Sequence, residues 1–124
     1  MSNIKGVVVG HGSLAAALID AVQRIAGNDT GLVALSNTDC DRGTLEDRIL
    51  SAVGEGPALI FIDMPSGSCL FAAMRRLEGM PGTRVITGVN LAMLLEFVFH
   101  RDGDVDATAT HLVDVGARAV ALRG

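Results

Sequence analysis

The sequence predicts an α/β fold: a doubly wound open sheet, mostly parallel, of about five strands with helices on both faces. Three observations predict it. Short apolar, β-branched runs alternate with stretches of helical periodicity along the chain, the pattern of β/α units rather than of a bundle or sandwich. The runs at 4–9 and 58–62 are nearly continuous in apolar character, as strands buried on both faces are. The 124 residues match a single domain of about 100–150 residues, so one domain spanning 1–124 is expected.

Residues 4–9 form the first strand, ended by Gly10. From Ser13 the period changes: Leu14, Leu18, Ala21, Val22 and Ile25 share one helical face, Asp20, Gln23 and Arg24 face away, and Gly27 supplies a stop. Residues 32–35 make a weaker second strand, followed by a polar loop over 36–43. Thr44, spaced from Asp47 like a capping box, then opens a helix running to about Val53. Residues 58–62 form the third strand, with Asp63 at its carboxyl end, and Pro65-Ser66-Gly67-Ser68 leads into a helix carrying Leu70, Phe71, Met74 and Leu77. Residues 84–86 make a fourth strand, 91 to about 100 a helix, about 107–115 another, and 117–122 a fifth strand.

Ten basic against fourteen acidic residues give a net charge of −4, which removes the electrostatic case for gripping nucleic acid or an anionic membrane. Four Phe with neither Trp nor Tyr leave little to stack on bases. Two cysteines outside any C-x-x-C pair imply neither a disulfide framework nor a metal clip, and point to a reducing compartment. Lys5 followed by three valines mimics the start of a signal peptide, but Gly10-His11-Gly12 interrupts the apolar run short of an h-region of about 7–15 residues. The apolar stretch 91–99 is broken by Glu96 and falls far below the ~20 residues that cross a bilayer. A soluble, cytoplasmic protein is expected.

Ligands of open α/β sheets bind at the carboxyl ends of the strands, which singles out the loops 10–13, 63–68 and 87–90. His11 sits between two glycines, where neighbours leave its ring reachable, and a neutral imidazole is a nucleophile at cellular pH. A capping or packing histidine is the alternative. Asp63 tips the balance, because a carboxylate at the end of a neighbouring buried strand could take one ring N–H and leave the other nitrogen to attack. Ser66, Gly67 and Ser68 precede one helix, and Gly12 and Ser13 precede another, so both helix N-termini offer N–H groups to phosphate. Ser68 also suits an N-cap role.

Competing motifs are weaker. Gly10-x-Gly12-x-x-Ala15 fits the dinucleotide fingerprint, but no acidic residue closes the second strand to hold a ribose. Asp102, Asp104 and Asp106 begin like a calcium loop, yet Ala107 and Val113 stand where Gly and Glu are needed. His100 and His111 have no ligand spacing with each other or with cysteine, and read as surface or capping residues. Cys69 at a helix start lacks an obvious base.

Taken together, Val9-Gly10-His11-Gly12, Phe61-Ile62-Asp63 with Ser66-Gly67-Ser68, and Gly88-Val89-Asn90-Leu91-Ala92-Met93-Leu94-Leu95-Glu96 resemble the mannose-family enzyme IIA domain of the bacterial phosphotransferase system (PTS) over essentially the whole chain. The third segment matches the family signature G-V-N-L/I-P-M-L-x-E with only Ala92 in place of Pro. The resemblance implies a phosphotransferase: His11 takes a phosphoryl group from the phosphocarrier HPr and passes it to a separate enzyme IIB, Asp63 pairs with the histidine, and Ser68 helps hold the phosphoryl group. Such transfer needs no metal or cofactor, because both partners are activated and the protein supplies alignment and electrostatics. It also implies a homodimer exchanging an antiparallel C-terminal strand, residues 117–122 here, and membrane contact only through a permease complex. Ser66, Cys69 and Phe71 depart from the family loop D-x-x-G-G-S-P-x-N. These departures motivate an alternative, a regulatory module of the same fold whose His11 phosphorylation controls a protein partner. The phosphocarrier subunit of a dihydroxyacetone kinase, and a small nucleotide-binding domain using Gly10 and Gly12, rank lower.

Overall fold

A computed structural model describes residues 3–124. The elements run β1 (Lys5–Gly10), α1 (Leu14–Ala26), β2 (Leu32–Ser36), α2 (Arg42–Val53), β3 (Ala58–Ile62), α3 (Ser68–Leu77), β4 (Thr83–Thr87), α4 (Leu91–Val98) and α5 (Val105–Ala119). The four strands pair in the order β2-β1-β3-β4, all parallel. Val9 lies opposite both Leu35 and Ile62, and Ile62 opposite Thr87. The carboxyl ends of all four strands therefore finish at one level, and the loops that follow them share an edge.

The side-chain period of two divides each central strand between two cores. Ile4 and Val8 of the first strand segment, with Leu59 and Phe61 of β3, pack beneath α1, α4 and α5. Val7, Val9, Ala58, Ile60 and Ile62 pack beneath α2 and α3. Both faces of β1 and β3 are covered, which is why their sequences carry almost no polar alternation. Phe97 of α4 meets Phe61 edge to face, with centroids 5.4 Å apart at 77°. Gly6 makes that approach possible: a Cβ there would stand 2.5 Å from Leu32 Cδ2 and 2.8 Å from the Phe97 ring.

Several expectations are corrected. Residues 117–119 belong to α5 and residues 120–124 form no strand, so the sheet has four strands among the described residues instead of about five. Ala117, Arg118 and Ala119 are good helix formers, and beyond them Val120 and Leu122 are exposed with no neighbouring strand to complete a ladder. The buried face of α1 is Ala15, Ile19 and Val22, while Leu14 and Ile25 face out. The cap of α2 is Asp41, whose side chain accepts from the Thr44 N–H at 2.8 Å, so Thr44 lies inside the helix. In α3 the inward positions are Cys69, Ala72, Ala73 and Leu77. Phe71 and Met74 are half exposed, and the Arg42 guanidinium lies over the Phe71 ring at 4.6 Å.

Candidate functional site

His11 follows β1 immediately, and its main chain is tied down before its ring is. The His11 backbone N–H donates to Asp63 Oδ2 at 2.9 Å, and the ring Nδ1 lies 2.7 Å from the same oxygen. Asp63 can occupy that place because β1 and β3 are adjacent parallel strands whose ends are level. Its side chain is only 8% exposed, against 43% for His11. Burial pushes the Asp63 carboxyl upward, but the ring and backbone hydrogen bonds from His11 and the attraction between the two groups outweigh it and hold the pKa below the ordinary value. The aspartate is therefore an acceptor-only carboxylate, so Nδ1 carries a proton toward it, and in the neutral tautomer this selects the lone pair is on Nε2. Asp63 Oδ1 is buried with no hydrogen-bond partner among the described residues, the kind of unsatisfied atom that concentrates at functional sites.

The start of α3 lies against the ring. Gly67 occupies the N-cap position at φ 96° and ψ −174°, a region essentially reserved for glycine. A Cβ on Gly67 would lie 3.8 Å from His11 Cε1 and 3.9 Å from Nε2, so the peptide leading into α3 sits beside the free nitrogen. Ser68 is the first residue of the helix and not its cap. Its Oγ accepts from Asn37 Nδ2 at 3.3 Å. Ser66 is exposed in the loop. In the segment that follows His11, Gly12 is exposed at φ 58°, and Ser13 heads α1 without a side-chain capping bond. The third loop is fastened rather than aimed at the ring. Val89 N–H donates to the Ile62 carbonyl at 3.1 Å, and Asn90 both caps α4 through the Met93 N–H at 3.0 Å and donates to the Gly116 carbonyl at 3.0 Å.

Two contributors, the last residue of β2 and the first residue beyond it, lie in the stretch that the sequence reading left as a connecting loop. Ser36 Oγ donates to the Gly12 carbonyl at 2.7 Å, and Asn37 Nδ2 donates to Ser68 Oγ, so this stretch ties the segment after His11 to the start of α3. Their meeting follows from the strand order, which the sequence reading did not supply: with β2 paired to β1, the residues at the ends of both strands lie together. Cys69 Sγ lies 3.9 Å from His11 Nδ1. With Asp63 it makes a trio of ligand types around the ring, yet burial first, and then the Asp63 charge, push the thiol pKa up, which opposes the thiolate a metal requires.

A profile of the EIIA-man family, described as the PTS system fructose IIA component, matches residues 5–114. The chain belongs to this family. Among solved structures, the mannose/sorbose-specific IIA subunit of the phosphotransferase system from Enterococcus faecalis is 28% identical, with 99% of this chain and 96% of that one covered at a TM-score of 0.85. The phosphotransferase system component EIIA from Streptococcus agalactiae shares 19% identity with 96% of each chain covered at a TM-score of 0.89. A sigma-54 interaction domain protein from Enterococcus faecalis has the same fold at a TM-score of 0.71 and 18% identity, with 95% and 93% covered. No curated protein matches the chain. Membership of the EIIA-man family implies a phosphoryl-carrying role in the PTS in general terms. No helix among the described residues is long and apolar enough to cross a membrane.

Proposed function

We propose that this EIIA domain, residues 1–124, is a cytoplasmic phosphohistidine carrier that accepts a phosphoryl group from HPr on His11 and passes it to a separate enzyme IIB. The observation that carries the reading is the double bond from His11 to Asp63, which fixes the ring and its tautomer together. In the transfer, the Nε2 lone pair forms a new N–P bond as the donor's N–P bond breaks. The positive charge that develops on the His11 ring is compensated by the Asp63 carboxylate on Nδ1–H, which stays ionised. The phosphoryl oxygens extend toward Gly67, Ser68 and the N-terminus of α3, with Ser66, Gly12 and Ser13 at the margins; N–H groups and the helix dipole favour negative charge there. Transfer onward to enzyme IIB reverses the step.

A homodimer belongs to this reading. Among the described residues no strand pairs with the outer edge of β4, and beside it runs a groove of about 560 Å³ lined by Met74, Leu77, Met80, Pro81 and Val85. Val120 and Leu122, at 81% and 96% exposure, are apolar residues at strand spacing whose burial against a second copy would relieve both features. The second reading, a regulatory module controlled by His11 phosphorylation, draws on the fold shared with the sigma-54 interaction domain protein. The discriminating experiment incubates the chain with phosphoenolpyruvate, enzyme I, HPr and then a cognate enzyme IIB, following intact mass. The carrier reading expects an acid-labile adduct on the native chain, absent from His11→Ala, that moves to enzyme IIB. An adduct that forms but is never handed on supports the regulatory module, and no adduct overturns both.

A further inference from the structure

Away from the His11 site, the fold brings together three residues that are spread through the last third of the sequence. Glu96 lies in α4, His100 just beyond its end, and His111 within α5. His111 Nε2 is 2.6 Å from Glu96 Oε2, and His100 Nδ1 is 3.7 Å from the same oxygen. The two imidazole centroids stand 5.0 Å apart, and one ligand atom from each of the three residues lies within 4.8 Å of the others. We propose that Glu96, His100 and His111 form a divalent transition-metal site, for zinc or a similar borderline ion, that fastens the end of α4 to α5.

The donor set is the first argument. Two imidazoles and one carboxylate suit a borderline ion such as zinc, leaving a further position for water, whereas calcium and magnesium prefer all-oxygen sites. The geometry is the second. Bonds of about 2.1 Å around a tetrahedral ion set ligand atoms about 3.4 Å apart. The 2.6 Å contact must widen and the 3.7 Å contact close, each by less than an ångström through side-chain torsions. The His100 ring, whose Nδ1–H now donates to the Glu96 carbonyl at 2.9 Å, would give up that contact and shift its proton to Nε2. Access is the third. Glu96 is 32% exposed and the histidines 47% and 45%, so an ion reaches the trio directly. The scaffold is already set, because Asn90 bonds the Gly116 carbonyl and a Cβ on Gly116 would stand 2.5 Å from Met93 Cε, holding α4 against α5 at their other ends.

The test is calorimetric titration of the full chain with zinc alone, beside His100→Ala, His111→Ala and Glu96→Gln. The native chain is expected to bind one equivalent. Each histidine variant should lose more than the roughly 10–100-fold in affinity that removal of a supporting contact costs. Zinc should raise the melting temperature of the native chain and not of Glu96→Gln, since an ion that binds only the folded state stabilises it. Circular dichroism checks that the variants fold; the three positions are not fully buried, and Glu96→Gln keeps its side-chain volume. The cobalt-loaded native chain should show no thiolate-to-metal charge-transfer band. Undiminished binding in the His100→Ala, His111→Ala double variant, a thiolate band pointing to Cys69, or no binding at millimolar zinc would each overturn the proposal.

Discussion

In the proposed carrier, Asp63 is the residue on which the chemistry turns. One carboxylate oxygen takes both the backbone and the ring of His11, so replacing it loosens the position and the tautomer at once. Asp63→Ala is predicted to slow phosphorylation of His11 by about 100-fold or more, the scale of a lost positioned acid-base or electrostatic partner, measured by rapid-quench transfer from phospho-HPr. The same pairing has a pH signature. The folded-state pKa of Asp63 is depressed, so near that value the unfolded chain binds more protons than the folded one. The stability it contributes is complete above the unfolded value of about 3.9 and is lost as pH falls through the lower folded value. Acid unfolding of Asp63→Asn should therefore lack the steepening that the native chain shows in that window. His11 and Asp63 were both legible as candidates in the sequence because each directly follows a strand that is apolar along nearly its whole length. Asn37 and Ser36 were not, because their role exists only through the adjacency of β2 and β1 and through where Ser68 and Gly12 lie.

Individual elements reveal which local signals decide. Gly67 holds a backbone conformation closed to other residues, and Gly67→Ala is predicted to destabilise the chain by about 1–3 kcal/mol and to displace the start of α3 from the ring. Urea denaturation together with the phosphorylation rate checks both parts. Asn90→Ala removes the cap of α4 and its tie to α5, with an expected loss of about 1–2 kcal/mol by the same denaturation. The helices were readable as helices, but their inward faces less so. In α1 the expected face shared Val22 with the buried one, but the large residues Leu14 and Ile25 drew it away from Ala15 and Ile19, since size alone does not say which stripe meets the sheet. The start of α2 went to Asp41 because a carboxylate three residues before Thr44 N–H caps better than the threonine itself.

At the scale of the whole molecule, the order β2-β1-β3-β4 gathers the loops after β1, β2 and β3 around one imidazole, and that gathering follows from the alternation of apolar runs and helices read in the sequence. The fifth strand expected at 117–122 does not form among the described residues because 117–119 continue α5, and a strand is defined by its partner, which the described residues do not offer at that place. Exchange between two copies would supply one. Removal of residues 120–124 is predicted to leave a folded chain, since all five are exposed, and to convert a dimer into a monomer in sedimentation velocity. A truncated chain that remains dimeric would exclude this segment as the exchanged element.

The central claim is that Asp63 reserves Nδ1 of His11 for a proton and so directs the phosphoryl group to Nε2. Long-range proton–nitrogen NMR correlation of the phosphorylated, nitrogen-labelled chain tests it most directly. The account predicts one phosphohistidine at His11, substituted on Nε2, with Nδ1 protonated. Substitution on Nδ1, or phosphorylation of a residue other than His11, would contradict it.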